Sequence, residues 1–146
     1  MVSIYMVLAV LGGMLVPFQA GVNMALAVRV GSPVWAAFVS FAVGMVALVL
    51  YALRLPFPDW SRVISEAPWY LWVGGLCGAY LVWMSIFAAP KIGAAVLIAC
   101  LVGGQMLSSI VFDHYGWLGY EARPINTGRI LGAGLIMAGA FLVRKF

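Results

Sequence analysis

Four amides and hydroxyls stand at regular spacing in a chain that is otherwise 66% hydrophobic: Gln19, Asn23, Gln105 and Ser109. Tyr5, Gly12, Gln19 and Asn23 recur at steps of seven, seven and four, which is one face of a helix. Gln105, Ser109 and Asp113 step by four, with Ser108 alongside. An amide in apolar surroundings needs a hydrogen-bond partner. Such stripes therefore either bind helices to each other or line a polar path. The chemistry they offer on a path is recognition of a neutral, zwitterionic or weakly polar solute, helped by aromatic faces such as Trp35, Tyr80 and Trp83. Those aromatics serve equally well as packing. Catalysis has no support, because no nucleophile–base pair is present. Cys77 and Cys100 lack metal-ligand spacing and are expected to be packing thiols, so neither a metal nor another cofactor is expected. Asp113 is the one carboxylate adjoining an apolar run, a position suited to a cap or gate. His114 follows it and is expected to be a solvated loop residue.

The elements that position these residues follow from charge. Charged side chains are 8% of the chain and mean hydropathy is +1.12, whereas a soluble domain carries about 25% charge. A soluble globular protein, a disordered chain and a nucleic-acid binder are excluded. The charge-free runs are 1–28, 30–53, 67–90, 92–112 and 130–143. A bilayer core about 30 Å thick needs about 20 apolar residues of helix. Four runs meet that length, and Arg129 and Arg144 can snorkel to extend the fifth. Backbone in lipid must be helix or closed barrel, and barrel strands alternate in polarity as these runs do not. The expected fold class is all-α: a single transmembrane domain over 1–146 with helices at about 2–28, 32–53, 67–89, 92–112 and 127–144. Its first partner is the lipid bilayer. The first span lacks a basic n-region and is too long for a signal peptide, so it is expected to remain as a helix.

Gly31-Ser32-Pro33 supplies a turn, a cap and a first-turn proline for the second helix. Pro56 and Pro58 interrupt the polar segment 54–66, Ala89-Pro90-Lys91 suggests a tight hairpin, and Thr127 is placed to cap the fifth helix. Trp60, Trp69, Tyr70, Trp72, Tyr115, Trp117 and Tyr120 fall where belt aromatics belong. Five spans put Arg54, Arg62, Arg123 and Arg129 on one side and Arg29, Lys91, Arg144 and Lys145 on the other. This even count gives insertion no preferred direction. Either something else orients the chain, or it inserts both ways and the two orientations pair. Gly74 and Gly78, and Gly128 and Gly132 followed by Gly134, are small residues that let helices approach closely in lipid. Of these, Gly128, Gly132 and Gly134 in the fifth helix are the dimer-interface candidates.

The run Gln19-Ala-Gly-Val-Asn23, Gly31-Ser-Pro, Ser40-Phe-Ala-Val-Gly44, Trp72-Val-Gly-Gly-Leu-Cys-Gly78, Ala89-Pro-Lys-Ile-Gly93, Gly104-Gln-Met-Leu107 and Asp113-His-Tyr-Gly116 resembles the short YdcZ-type family of bacterial inner-membrane exporters. That family sits in the drug/metabolite transporter superfamily, whose longer members have ten helices in two inverted five-helix repeats. The resemblance implies half of such a fold, completed by antiparallel dimerisation with itself or with an oppositely oriented paralogue. It implies a multi-pass inner-membrane exporter of small molecules working by alternating access. A helix 1 glutamate used by small multidrug transporters has no counterpart here. Gln19 lies roughly 6 Å past the centre of its run and Gln105 roughly 4.5 Å past the centre of its own, at 1.5 Å per residue. In an antiparallel pair, Gln19 of one copy and Gln105 of the other reach nearly the same depth. Gln19, Asn23, Gln105, Ser109, Tyr80 and Trp83 are thus the substrate-path candidates. A dual-topology channel and a non-transporting subunit of a larger complex are the alternatives.

Overall fold

The computed structural model describes residues 2–145, and every regular element among them is helical. The chain divides into two compact units, Met1–Pro90 and Lys91–Phe146.

In the first unit, α1 spans Val2–Val30, α2 Pro33–Ala52, α3 Trp60–Glu66 and α4 Gly74–Ile92, with a short 3-10 turn at Trp69–Trp72. At 29 residues, α1 is about 43 Å long and exceeds the hydrocarbon core. Pro17 lies inside it and removes one N–H from the ladder without ending the helix. Gly31 takes φ +75°, after which Ser32 caps α2 by accepting from the Trp35 N–H. The polar segment between the second and third spans contains a helix that its prolines concealed. Asp59 caps α3 by accepting from the Arg62 N–H at 3.2 Å, and Arg62 pairs with Glu66 at 3.0 Å one turn on. The Ser61 hydroxyl donates to Asp59 at 2.5 Å; that bond, together with the Arg62 N–H, holds the carboxyl below its ordinary value. Trp60, Val63 and Ile64 stay exposed, an apolar set on a short helix flanked by tryptophans, as an interfacial helix requires.

The expected break at Ala89-Pro90-Lys91 is not where the fourth helix ends. The helix continues through Pro90 to Ile92, and the chain turns at Gly93 with φ +81°. Proline in a last turn costs one backbone hydrogen bond, whereas the positive φ at Gly93 is one that glycine accepts without penalty.

In the second unit, α5 spans Ala94–Tyr115 and α6 Thr127–Lys145. Gly116 closes α5 in the left-handed conformation (φ +63°). The cap of α6 is Asn126, whose side chain accepts from the Arg129 N–H at 3.0 Å; Thr127 is the first helical residue rather than the cap. An Asn side chain in this place reaches the third helical N–H directly.

Five helical segments are long and apolar enough to cross a membrane: Ser3–Val30, Pro33–Ala52, Trp69–Ile92, Ala94–Tyr115 and Thr127–Lys145. The buried positions are mostly small. Ala27, Ala36, Ala37 and Ile86 form the packed cluster of the first unit, and Leu97, Gly103 and Ala133 are buried in the second. Large apolar side chains point outward instead, as they do where the solvent is hydrocarbon and helices associate through small residues.

Candidate functional site

The α1 face that packs within the first unit is Ala20, Asn23 and Ala27, at steps of three and four. Asn23 is only 4% exposed, and its side-chain Nδ2 has no hydrogen-bond partner. A buried amide donor left unpaired costs about 1–3 kcal/mol, so native structures hold few of them.

Gln19, one turn earlier, sits beside rather than on that face and borders two hollows. The larger, about 300 Å³, is completed from α2 by Ser40, Phe41, Gly44, Met45 and Leu48. The smaller, about 60 Å³, is completed by Val16 and Ala20 and, from α4, by Leu81, Val82 and Ser85. Ser85 is buried, and its hydroxyl donates to the Leu81 carbonyl at 2.7 Å, which leaves its oxygen free to accept.

Tyr80 and Trp83 lie on α4 with ring centroids 6.0 Å apart, and Trp83 stacks on Phe87 at 5.9 Å and 13°. Trp83 also borders a third hollow of about 380 Å³ with Val34, Ala37, Phe38, Phe41 and Ala79. Trp35 meets Phe38 edge-on at 5.6 Å.

In the second unit, Gln105 and Ser109 are exposed on α5. Gln105 lies about 200° around the helix from Gly103, the position against which the Met137 side chain of α6 rests. Asp113 is held by Arg129, Nη2 to Oδ2 at 2.5 Å, with both side chains about a quarter exposed. The same guanidinium donates to the Arg123 carbonyl at 2.9 Å, and the Arg123 N–H donates to the Asp113 carbonyl at 2.7 Å. His114 Nδ1 accepts from the Ile125 N–H at 3.2 Å. Asp113 is thereby the tie between the end of α5 and the start of α6. Glu121, 2.8 Å from Arg123, raises that guanidinium's hold on its proton.

On α6 the positions that meet α5 or the loop before α6 include Arg129, which pairs with Asp113, the buried Ala133, and Met137, whose exposed side chain rests on Gly103; they stand four residues apart. A side chain added at Gly132 or Gly134 meets nothing within 4 Å, and one at Gly128 meets only the Asn126 side-chain oxygen at 3.4 Å. Gly128 and Gly132 share one flank; Gly134 is about 200° away from Gly132 on the other.

A family profile described as "Putative inner membrane exporter, YdcZ" matches residues 4–142. The chain belongs to this family. Inner membrane protein YdcZ of Escherichia coli (strain K12) is 31% identical over 105 residues, spanning 69% of this chain and 70% of the relative. No solved structure matches. With five membrane-capable helices and a family of inner-membrane proteins, this YdcZ-family chain is a multi-pass inner-membrane protein.

The structure brings Gln19 together with Ser40 of α2 and Ser85 of α4, and brings Trp83 together with Phe38 and Phe41. Ser40, Phe41 and Ser85 carry no periodic signal. α2 is hydrophobic all round, so its sequence does not mark which face meets a neighbour. Ser40-Phe-Ala-Val-Gly44 is one of the motifs that carry the family resemblance, and its four-residue small–small spacing places Ser40 and Gly44 on one face.

Proposed function

We propose that this YdcZ-family chain exports a small uncharged or zwitterionic molecule by alternating access, as an antiparallel homodimer of oppositely inserted copies. The observation that carries the reading is Asn23, sealed in the first unit with an unpaired donor one turn from Gln19. In lipid no water is at hand to satisfy it, and polar groups retained at such a cost mark transport paths. A state in which that donor finds an acceptor lies lower by up to about 1–3 kcal/mol, a gap that a ligand or a rearranged helix pair can exploit. Sites of inverted-repeat carriers lie near the midplane between halves. Gln19 of one copy and Gln105 of the other reach similar depth in an inverted pair, which gives two equivalent amide clusters related by a two-fold axis. The even Lys/Arg count supports insertion both ways.

The test is flux in reconstituted vesicles, using a neutral solute selected by thermal shift of the purified chain. Saturation and counterflow support a carrier; fast linear flux indicates a channel and absent flux a non-transporting subunit. Gln19→Ala and Gln105→Ala should each suppress flux while leaving a folded dimer. Co-expressing the two variants yields heterodimers with one cluster intact, so partial recovery supports clusters that span two copies. Normal flux in both single variants reduces the amides to packing and overturns the site.

A further inference from the structure

Phe41 borders both larger hollows of the first unit. On one side lie the Gln19 amide and the Ser40 hydroxyl; on the other lie Trp83, Phe38 and Val34. The ring is set by α4: a Cβ at Gly78 would lie 3.6 Å from Phe41 Cζ, so the ring rests against the bare backbone of that glycine. Gly78 therefore does local work that its spacing from Gly74 did not disclose, since a Cβ at Gly74 meets nothing within 4 Å. The hollow with Gln19 offers hydrogen bonds, and the hollow with Trp83 offers aromatic faces. Neither is lined by a charged side chain, and the acidic residues of this unit, Asp59 and Glu66, belong to the exposed α3 segment.

We propose that the two hollows are the halves of one ligand site and that Phe41 is its specificity-determining wall. The ligand class is an uncharged molecule with a hydrogen-bonding head, held at Gln19 and Ser40, joined to a flat aromatic body, held against Trp83. Phe41 contributes a ring to the body and a partition that limits how head and body are joined. This inference rests on the transport reading for its biological meaning, but binding tests it without transport.

The probe is N-acetyltryptophanamide, which is neutral, water-soluble and built of a diamide head and an indole body. Equilibrium dialysis against the full chain in detergent, with protein-free micelles subtracted, should give saturable binding. N-acetylglycinamide, indole and cationic tryptophanamide should each bind roughly tenfold more weakly, the factor expected from losing one hydrogen-bonded or stacked half, or from placing a charge among uncharged groups. Phe41→Leu keeps apolar volume but removes the ring, and should weaken the probe roughly fivefold with little change for N-acetylglycinamide. Gly78→Leu should displace the ring and reproduce Phe41→Leu. Melting temperature guards against misfolding. Absence of saturable probe binding, equal affinity for the cation, or full affinity in a folded Phe41→Leu chain overturns the bipartite site. A solute of another class that still shows counterflow would then leave the carrier reading standing, so the two fail separately.

Discussion

Replacing Asp113 by Asn should loosen the junction between α5 and α6. The Arg129 guanidinium loses its carboxylate but keeps the Arg123 carbonyl at 2.9 Å. Fully exposed ion pairs contribute about 0.2–1 kcal/mol, and breaking a fully buried one costs about 3–5 kcal/mol. This pair is about a quarter exposed on each side, so the expected cost lies between those limits, at about 2 kcal/mol or roughly 30-fold in the folding equilibrium. Arg129→Gln should cost slightly more, since it also removes the bond to the Arg123 carbonyl. The double variant no longer strands a charge, and the cycle should give a coupling of about 1–2 kcal/mol. Reversible unfolding in mixed micelles measures the three free energies. Hydrogen exchange of 117–126 should rise in both single variants, with the Arg123 amide most affected because it donates to the Asp113 carbonyl. Costs that add to within about 0.3 kcal/mol, with the Arg123 amide still protected, would show that the short contact holds nothing together.

Gly103→Leu should destabilise the α5–α6 unit by about 1–3 kcal/mol, because the new side chain runs into the Met137 sulfur, and Met137→Ala should recover part of the loss. An unchanged unfolding curve for Gly103→Leu would refute the packing. Gly132→Leu enters open space in the single chain, so it should spare chain unfolding and weaken dimer crosslinking if the Gly128/Gly132 flank meets a second copy; intact crosslinking moves that interface elsewhere. The folded-state lowering of the Asp59 carboxyl means its cap stabilises α3 above the ordinary value of 3.8 and is lost as pH falls through the lowered one. Amide protection over 62–66 should thus hold above about pH 4 and drop as pH falls below it, and Asp59→Asn, which caps without titrating, should abolish that dependence. Persistence of the same pH profile in Asp59→Asn would remove Asp59 as its cause.

The five spans were legible because lipid leaves a coarse trace: long runs without charge have no other stable use. Finer features depended on which neighbour a face meets. Gln19 and Asn23 were marked together by their spacing, yet one lies buried and the other borders hollows. A step of four advances about 40° beyond a full turn, enough to carry a side chain from the rim to the interior of a close helix contact. α3 was hidden because seven residues after two prolines make too short a window for periodicity. The tie between Asp113 and Arg129 spans 16 residues and a loop, a pairing that spacing along one helix does not report. Likewise Gly134 follows Gly132 closely in sequence but faces away from it, since two residues turn a helix by about 200°.

The distribution of charge bounds how the proposed cycle is driven. The ion pairs Arg62–Glu66, Arg123–Glu121 and Arg129–Asp113 lie in the connecting segments or at helix ends, and the runs 1–28, 30–53, 67–90 and 92–112 hold no Asp, Glu, Lys or Arg. A proton taken up from one side and released to the other therefore has no carboxylate of this chain in the middle of those spans to ride on. The middle of the first unit offers amides, hydroxyls and rings instead. A conformational equilibrium built from such groups shifts only by the difference in how well its two states bind the ligand. Asn23 supplies such a difference locally: its unpaired donor penalises the packed arrangement by up to about 1–3 kcal/mol relative to one that offers an acceptor. The expected signature is a carrier whose exchange is accelerated by substrate on the opposite side and only weakly by a pH gradient, with the Asn23→Leu chain locked toward the packed arrangement because apolar replacement removes that penalty.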